Sequence, residues 1–264
     1  MNTNSLSCFF DAHCHLQDLR IFNNVEKIIC RAKENGVVGF CCCGSTEKDW
    51  NDVKQLSYSY KEIIPSFGIH PWYIKEKSDT WEEKLIKYLK EVNNAGVGEI
   101  GLDHKLDKST FSEQEIIFKK QLDIAFEYKR PVTIHCRNAF GSLLEILKFY
   151  GKISYGGIIH SYSGPPDLIK KFEDFGLALS FSCSITFPQN KRSRLSASQV
   201  SINNLCIETD SPDIKPYECK EDLNEPKNVT LVAKTISSIR NISLAEVAEY
   251  TYKNAKRIFL KDKS

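Results

Sequence analysis

The chain has 264 residues, 41% of them apolar and 27% charged, and a formal charge of +2. That length suits one large globular domain, and so small a net charge leaves no global basic field to draw in nucleic acid or acidic membranes. No apolar run reaches the roughly 18 residues that span a bilayer. The first residues also lack the basic and apolar blocks of a secretory leader. The expectation is a cytoplasmic protein (or a nuclear one in a eukaryote) with no membrane partner. The ten cysteines then read as free thiols in a reducing compartment. No C-x-x-C pair exists, and the consecutive Cys41, Cys42 and Cys43 cannot share a metal, because alternate strand residues face opposite ways.

In chain order, short apolar runs alternate with longer amphipathic stretches. Strands are expected near Cys8–Ala12, Val37–Cys43, Ile63–Gly68, Gly96–Leu102, Val132–His135, Gly157–His160, Leu177–Phe181 and Leu205–Glu208. Between and after them, apolar residues recur at helical spacing over Ile21–Glu34, Trp81–Val92, Phe111–Tyr128, Phe140–Phe149, Asp167–Phe175 and Lys227–Ser238. Ser112 with Glu115 suggests a capping box for the third of these, and Ser243 a cap for a last helix through Ile258. Ser211–Pro226 has no periodicity and reads as a loop over the site. Strands alternating with helices give a parallel sheet, either closed as a barrel or open and doubly wound. No repeat or linker divides residues 1–264, so one domain is expected.

All six histidines lie at or just past the end of an apolar run. So do Glu99 and Asp210. Asp11-Ala12-His13-Cys14-His15 puts two imidazoles one pleat apart, with Asp11, His13 and His15 expected inside and Ala12 and Cys14 toward the helices. Glu99 sits within the apolar Gly96–Leu102 run, where an unpaired carboxylate is costly to bury. His135 and His160 end the next two strands, and Glu208-Thr209-Asp210 ends the last. Ligands from so many strand ends meet only at the mouth of a closed (β/α)8 TIM barrel, which decides the fold class. Four imidazoles and two carboxylates suit two ions better than one. A nitrogen-rich shell suits zinc, manganese or iron, with magnesium a poorer fit.

These stretches resemble the TatD family of metal-dependent deoxyribonucleases. The likeness rests on Asp11-Ala12-His13-Cys14-His15-Leu16, Gly68-Ile69-His70-Pro71, Gly98-Glu99-Ile100-Gly101-Leu102-Asp103, His135-Cys136-Arg137, His160-Ser161-Tyr162-Ser163-Gly164 and Glu208-Thr209-Asp210-Ser211-Pro212. Asn224-Glu225-Pro226 and Asn254-Ala255-Lys256-Arg257 add to it. The resemblance implies a barrel that hydrolyses phosphodiester bonds, exonucleolytically, with a water activated by two divalent metals. It implies one metal on His13, His15 and Asp210, a second on His135 and His160, and Glu99 bridging them. Asp210 and Glu99 would be catalytic, Asp210 by orienting or deprotonating the attacking water. His70 and Arg137 would contact the scissile phosphate, and Asp103 would support a ligand rather than be one. The implied partner is DNA, single-stranded or at frayed ends, with RNA or tRNA as further substrates, and the chain acts as a monomer. A D-aminoacyl-tRNA deacylase or another ester or amide hydrolase with the same site is the alternative.

Three places depart from the family pattern. His104 stands where an aromatic residue is expected and reads as a satisfied loop histidine. Trp72 follows His70-Pro71 where a histidine is common, and either stacks on a base or caps the rim. Glu218-Cys219-Lys220-Glu221-Asp222 is acidic where the family is basic, which weighs against long DNA. Lys191-Arg192-Ser193-Arg194 offers a local basic cluster in partial compensation, or else the start of a solvated helix.

Overall fold

The computed structural model describes residues 7–217 and 219–260. Eight parallel strands pair in sequence order: β1 (Phe9–Cys14), β2 (Val37–Cys43), β3 (Ile63–Phe67), β4 (Gly96–Asp103), β5 (Val132–Arg137), β6 (Gly157–Ile159), β7 (Ala178–Phe181) and β8 (Leu205–Ile207). Helices α1 (Val25–Glu34), α2 (Trp50–Ser59), α3 (Trp81–Glu91), α4 (Phe111–Glu127), α5 (Phe140–Tyr150), α6 (Ile169–Asp174), α7 (Lys191–Gln199) and α8 (Val229–Arg240) return the chain between strands and after β8, and α9 (Leu244–Phe259) follows. The barrel is closed just above the strands. His13 O accepts from Asp210 N at 3.0 Å, and His15 N donates to Ser211 O at 2.7 Å. Asp11 reinforces this seam, accepting from Thr209 N at 2.8 Å and from its hydroxyl at 2.5 Å.

The alternation of strand residues sorts the core into two layers. Phe40 and Cys42 of β2 join the large cluster under the helices, with Val97, Ile100, Ile134 and Leu179. Cys41 and Cys43 face the other way, with Phe10, Ile64, Ile158, Ala178 and Cys206. That second cluster is the barrel interior, and α9 joins it through Ala255, Ile258 and Phe259. The Phe10 and Phe259 rings stack 6.0 Å apart. All three consecutive cysteines are fully buried, as expected of small hydrophobes.

Four expectations need correction. Ala12 faces the interior with Phe10, and Asp11 faces the β8 seam, because β1 shifts register against β2 between Asp11 and Cys14. Strict alternation fails across such an irregularity. Ser112 does not cap α4: a short 3-10 turn at Lys108–Thr110 precedes it, and Ser112 already lies in the helix. The capping box exists instead at α9, where Ser243 accepts from Glu246 N and Glu246 answers from its carboxylate. Finally, α2 was not foreseen, whereas the basic run at Lys191 does begin a helix, α7, as one of its two readings had it. Among the described residues, no helix is long and apolar enough to cross a membrane.

Candidate metal centre

Glu99 occupies the middle of the site. Gly98 lets β4 lie close to β5, since a Cβ there would meet Thr133 Cβ at 2.7 Å. Gly101 has φ of +147°, and a side chain on it would run into the His135 carbonyl. The strand is therefore tight enough to set the Glu99 carboxylate among imidazoles from four other strand ends. Its Oε1 lies 2.8 Å from His160 Nε2, 2.9 Å from His135 Nδ1 and 3.3 Å from His70 Nε2. Its Oε2 lies 3.4 Å from His15 Nε2 and 3.5 Å from His13 Nε2. Asp210 Oδ1 faces the same two nitrogens, at 3.6 and 3.5 Å. One carboxylate oxygen thus looks toward each of two groups of ligand atoms. Asp210 itself has a φ of +59°, a left-handed conformation that aspartate tolerates better than most side chains.

Behind the nitrogens stand fixed partners. His15 Nδ1 donates to Cys43 O at 2.8 Å. His160 Nδ1 lies 3.2 Å from Glu208 Oε1, which also accepts from Ser161 N at 2.8 Å. His135 Nε2 faces Asp103 Oδ2 at 3.3 Å. Such contacts fix ring orientation and raise ligand basicity. Glu208 was not singled out from the sequence. Its signal was there: it sits one pleat before Asp210 at the end of an apolar strand.

The donor set fits divalent cations. Burial alone would push the Glu99 carboxyl up, yet His70, His160 and His13 around it hold it well below the usual carboxylate range. Asp210 is held low in the same way, burial being outweighed by the His15 hydrogen bond and the charges of His160 and His13. Burial also opposes charge on His15, but Asp210 and Glu99 lift it to about 9. His160 and His135 are raised too, against burial, by Glu99 with Glu208 and by Asp103 with Glu99 respectively. His13 and His70 are kept neutral by burial, His70 at about 4. Protons on three imidazoles thus balance buried carboxylates, a balance that divalent cations supply more fully. His13 Nδ1 is buried with no hydrogen-bond partner.

All the expected ligands, His13, His15, Glu99, His135, His160 and Asp210, come together. So does His70, which was expected on the phosphate side: it groups with Glu99 and His135 within ligand distance. Asp103 stays outside the cluster, as expected. Arg137 is exposed on the wall of the cleft above the centre, a cavity of about 1050 Å³. Lys191 and Arg192 line the same cleft, whereas Arg194 donates to Ile185 O at 2.8 Å. His104 does not line the cleft; its ring stacks 3.8 Å from Phe111, and its Nε2 is buried without a hydrogen-bond partner, so it is not the satisfied loop histidine expected. The acidic loop is turned away from the cleft. Glu221 pairs with Lys227 at 2.7 Å and, with Asp222, lines a separate shallow hollow, while Glu218 lies outside the described residues.

Comparison with known proteins converges on one family. A family profile described as TatD related DNase matches residues 10–260. The uncharacterized metal-dependent hydrolase YabD of Bacillus subtilis is 30% identical over 253 residues, covering 95% of this chain and 98% of that protein. The uncharacterized metal-dependent hydrolase MJ1582 of Methanocaldococcus jannaschii is 32% identical, covering 95% and 96%. Among solved structures, the TatD homolog YjjV of Escherichia coli superposes with a TM-score of 0.92 at 25% identity, covering 97% of this chain and all of that one. Matched over a span that holds every strand but the first residue of β1, and every clustered ligand atom, the chain belongs to the TatD family of metal-dependent hydrolases.

Proposed function

We propose that the chain is a two-metal phosphodiesterase that trims single-stranded or frayed DNA ends. The observation that carries this reading is the division of ligand atoms about Glu99. Its Oε2 faces His13 and His15, which also face Asp210, while its Oε1 faces His135, His160 and His70. His13, His15 and Asp210 would hold one ion, His135 and His160 the other, and Glu99 would lie between. Bound divalent ions would supply Lewis-acid polarisation of the phosphoryl oxygen and acidify water; zinc, manganese and magnesium are the candidates.

The chain's own groups do the rest. Asp210 is held ionised and accepts a proton at its carboxylate from the attacking water. Arg137 and Arg192 bind phosphate oxygens from the cleft wall, and neither has an ion pair among the described residues. On the other side Arg20 clamps Asp18 and Asp213, with contacts of 2.7 to 2.9 Å. That clamp bounds the cleft between the β1 and β8 loops, which suits a strand end better than a continuing duplex. The buried free thiols of Cys14, Cys41, Cys42, Cys43, Cys136, Cys183 and Cys206 support action in a reducing compartment such as the cytoplasm.

The test compares a labelled single-stranded DNA, an RNA and a D-aminoacyl-tRNA, each with zinc, manganese or magnesium. The expected result is metal-dependent loss of terminal nucleotides from the DNA. Preferential release of the amino acid from tRNA would replace this reading with that of an ester hydrolase.

A further inference from the structure

Two aromatic residues beside the metal centre, Trp72 and Tyr73, line the cleft, and Trp72 is the more exposed of them and is held rigidly there. It is 52% exposed and lines the cleft. An exposed indole that packed only as a cap would be expected to lose most of its surface, because aromatic area is what such a residue has to bury. Its edge is not free, however. Nε1 donates to Asp103 Oδ2 at 2.7 Å, and that same oxygen faces His135 Nε2 at 3.3 Å. The Trp72 backbone N also donates to His70 Nδ1 at 3.1 Å. The ring is therefore anchored by its edge to Asp103, which faces His135, its backbone is tied to His70, whose ring meets it in a T-shaped contact at 5.2 Å, and about half of the residue is left exposed at the cleft.

The opposite wall has the complementary character. Trp72 follows β3, and α7 follows β7, four strands around an eight-stranded barrel and so across its mouth. Lys191 and Arg192 at the start of α7 are exposed to the cleft, with no acidic partner among the described residues. Of the other cations that line the cleft, Lys48 is paired with Glu76 at 2.7 Å and Arg20 with Asp18 and Asp213, while Arg137, in register with the Trp72 anchor Asp103, has no ion pair among the described residues. One wall thus offers an aromatic face, and unpaired positive charge stands beside it at Arg137 and across the mouth at Lys191 and Arg192, with Glu99 between the walls.

We propose that Trp72 is a stacking platform for the unpaired base of the nucleotide next to the scissile phosphate, and so a determinant of the preference for single strands. The proposal rests on the phosphodiesterase reading above and adds the group that recognises the ring. Every base has a stacking face, so the platform selects unpairing rather than sequence. Its rigid anchor keeps the ordering cost of binding low.

The test uses the metal-loaded protein and two short strands with identical phosphates, one of thymidylate and one abasic at the terminal nucleotides. Trp50 and Trp81 are buried, leaving Trp72 as the accessible indole among three tryptophans. Thymidylate should quench the acrylamide-accessible fluorescence, and the abasic strand should not. Trp72→Ala should raise KM for thymidylate about 5- to 150-fold, more than kcat falls. Trp72→Phe, which keeps a ring but loses the donor to Asp103, should fall between. The Trp72→Ala variant should no longer distinguish the two strands. Equal KM for thymidylate and abasic strands with the wild-type protein, or binding without quenching, would overturn the proposal. Quenching without cleavage would leave the platform standing and refute the phosphodiesterase reading; cleavage without discrimination would do the reverse.

Discussion

Metal affinity should rise steeply with pH between 7 and 9. In the metal-free protein His15 is lifted to about 9 by Asp210 and Glu99 against the effect of burial. A ligand nitrogen must give up its proton before it binds a cation. At pH 7 His15 is about two units below its pKa and at pH 9 half its protons are already lost, so releasing the proton weakens binding about fifty-fold relative to pH 9, or roughly 2.3 kcal/mol. His160 and His135 are raised as well and add to the slope. His13 and His70 are lowered and neutral throughout this window, so they contribute nothing to it. The logarithm of the association constant should therefore climb by about one per pH unit from His15 alone between 7 and 8 and less steeply toward 9, with His160 and His135 adding to it. Competition against a chromophoric chelator gives the constant. Calorimetry in two buffers of different ionisation enthalpy counts the protons released. An affinity constant across that range, with no proton release, would refute the assignment of these imidazoles as charged in the free protein and displaced by metal.

The same shifts set the stability of the metal-free protein. The part due to His15 is fully present below about pH 6.5, its unfolded value, and is lost as pH rises through about 9, so calorimetric Tm should fall over that interval and recover when metal is added. Asp210→Asn removes the partner that most raises His15, and should abolish turnover while flattening the pH slope of metal binding; unaltered turnover in metal-replete buffer would remove Asp210 from the mechanism. Gly98→Ala forces a Cβ to within 2.7 Å of Thr133 Cβ, so thermal unfolding should show a loss of about 1–3 kcal/mol, with metal affinity falling as Glu99 shifts. Ser243→Ala deletes the α9 capping box and should cost about 1 kcal/mol in urea unfolding with no change in metal content.

The barrel was legible because its signals were redundant. Eight apolar runs, each followed by a polar strand end, admit few topologies, and the wide scatter of the histidines left only closure. The cluster was legible for the same reason: Glu99 within an apolar strand has to meet positive charge, which the histidines around it and a divalent cation can both supply. What sequence could not give was local backbone. The β1 irregularity sends Ala12 inward and Asp11 to the seam, and no residue there announces it. Helix α2, Trp-Asn-Asp-Val-Lys-Gln-Leu-Ser-Tyr-Ser, buries only Trp50, Val53 and Leu56, too sparse a stripe to read against its polar residues. Ser112 satisfied the capping pattern, yet the chain had already entered the helix at Phe111 after a 3-10 turn that carries no sequence signature of its own. His70 shows a different limit. Its motif placed it at the mouth of the barrel, but only coordinates show it 3.3 Å from Glu99. The acidic loop was read correctly as acidic and wrongly as facing the substrate, since Lys227 and a neighbouring hollow absorb its charge.

The central claim is that phosphodiester hydrolysis depends on divalent metal gathered around Glu99. The most direct measurement is the initial rate of cleavage of a labelled single strand by chelator-stripped protein as manganese is restored, for the wild type and for Glu99→Gln. The account predicts no cleavage without metal, recovery on its return, and no recovery in the variant. Cleavage that survives stripping, or a variant that recovers as fully as the wild type, would contradict it.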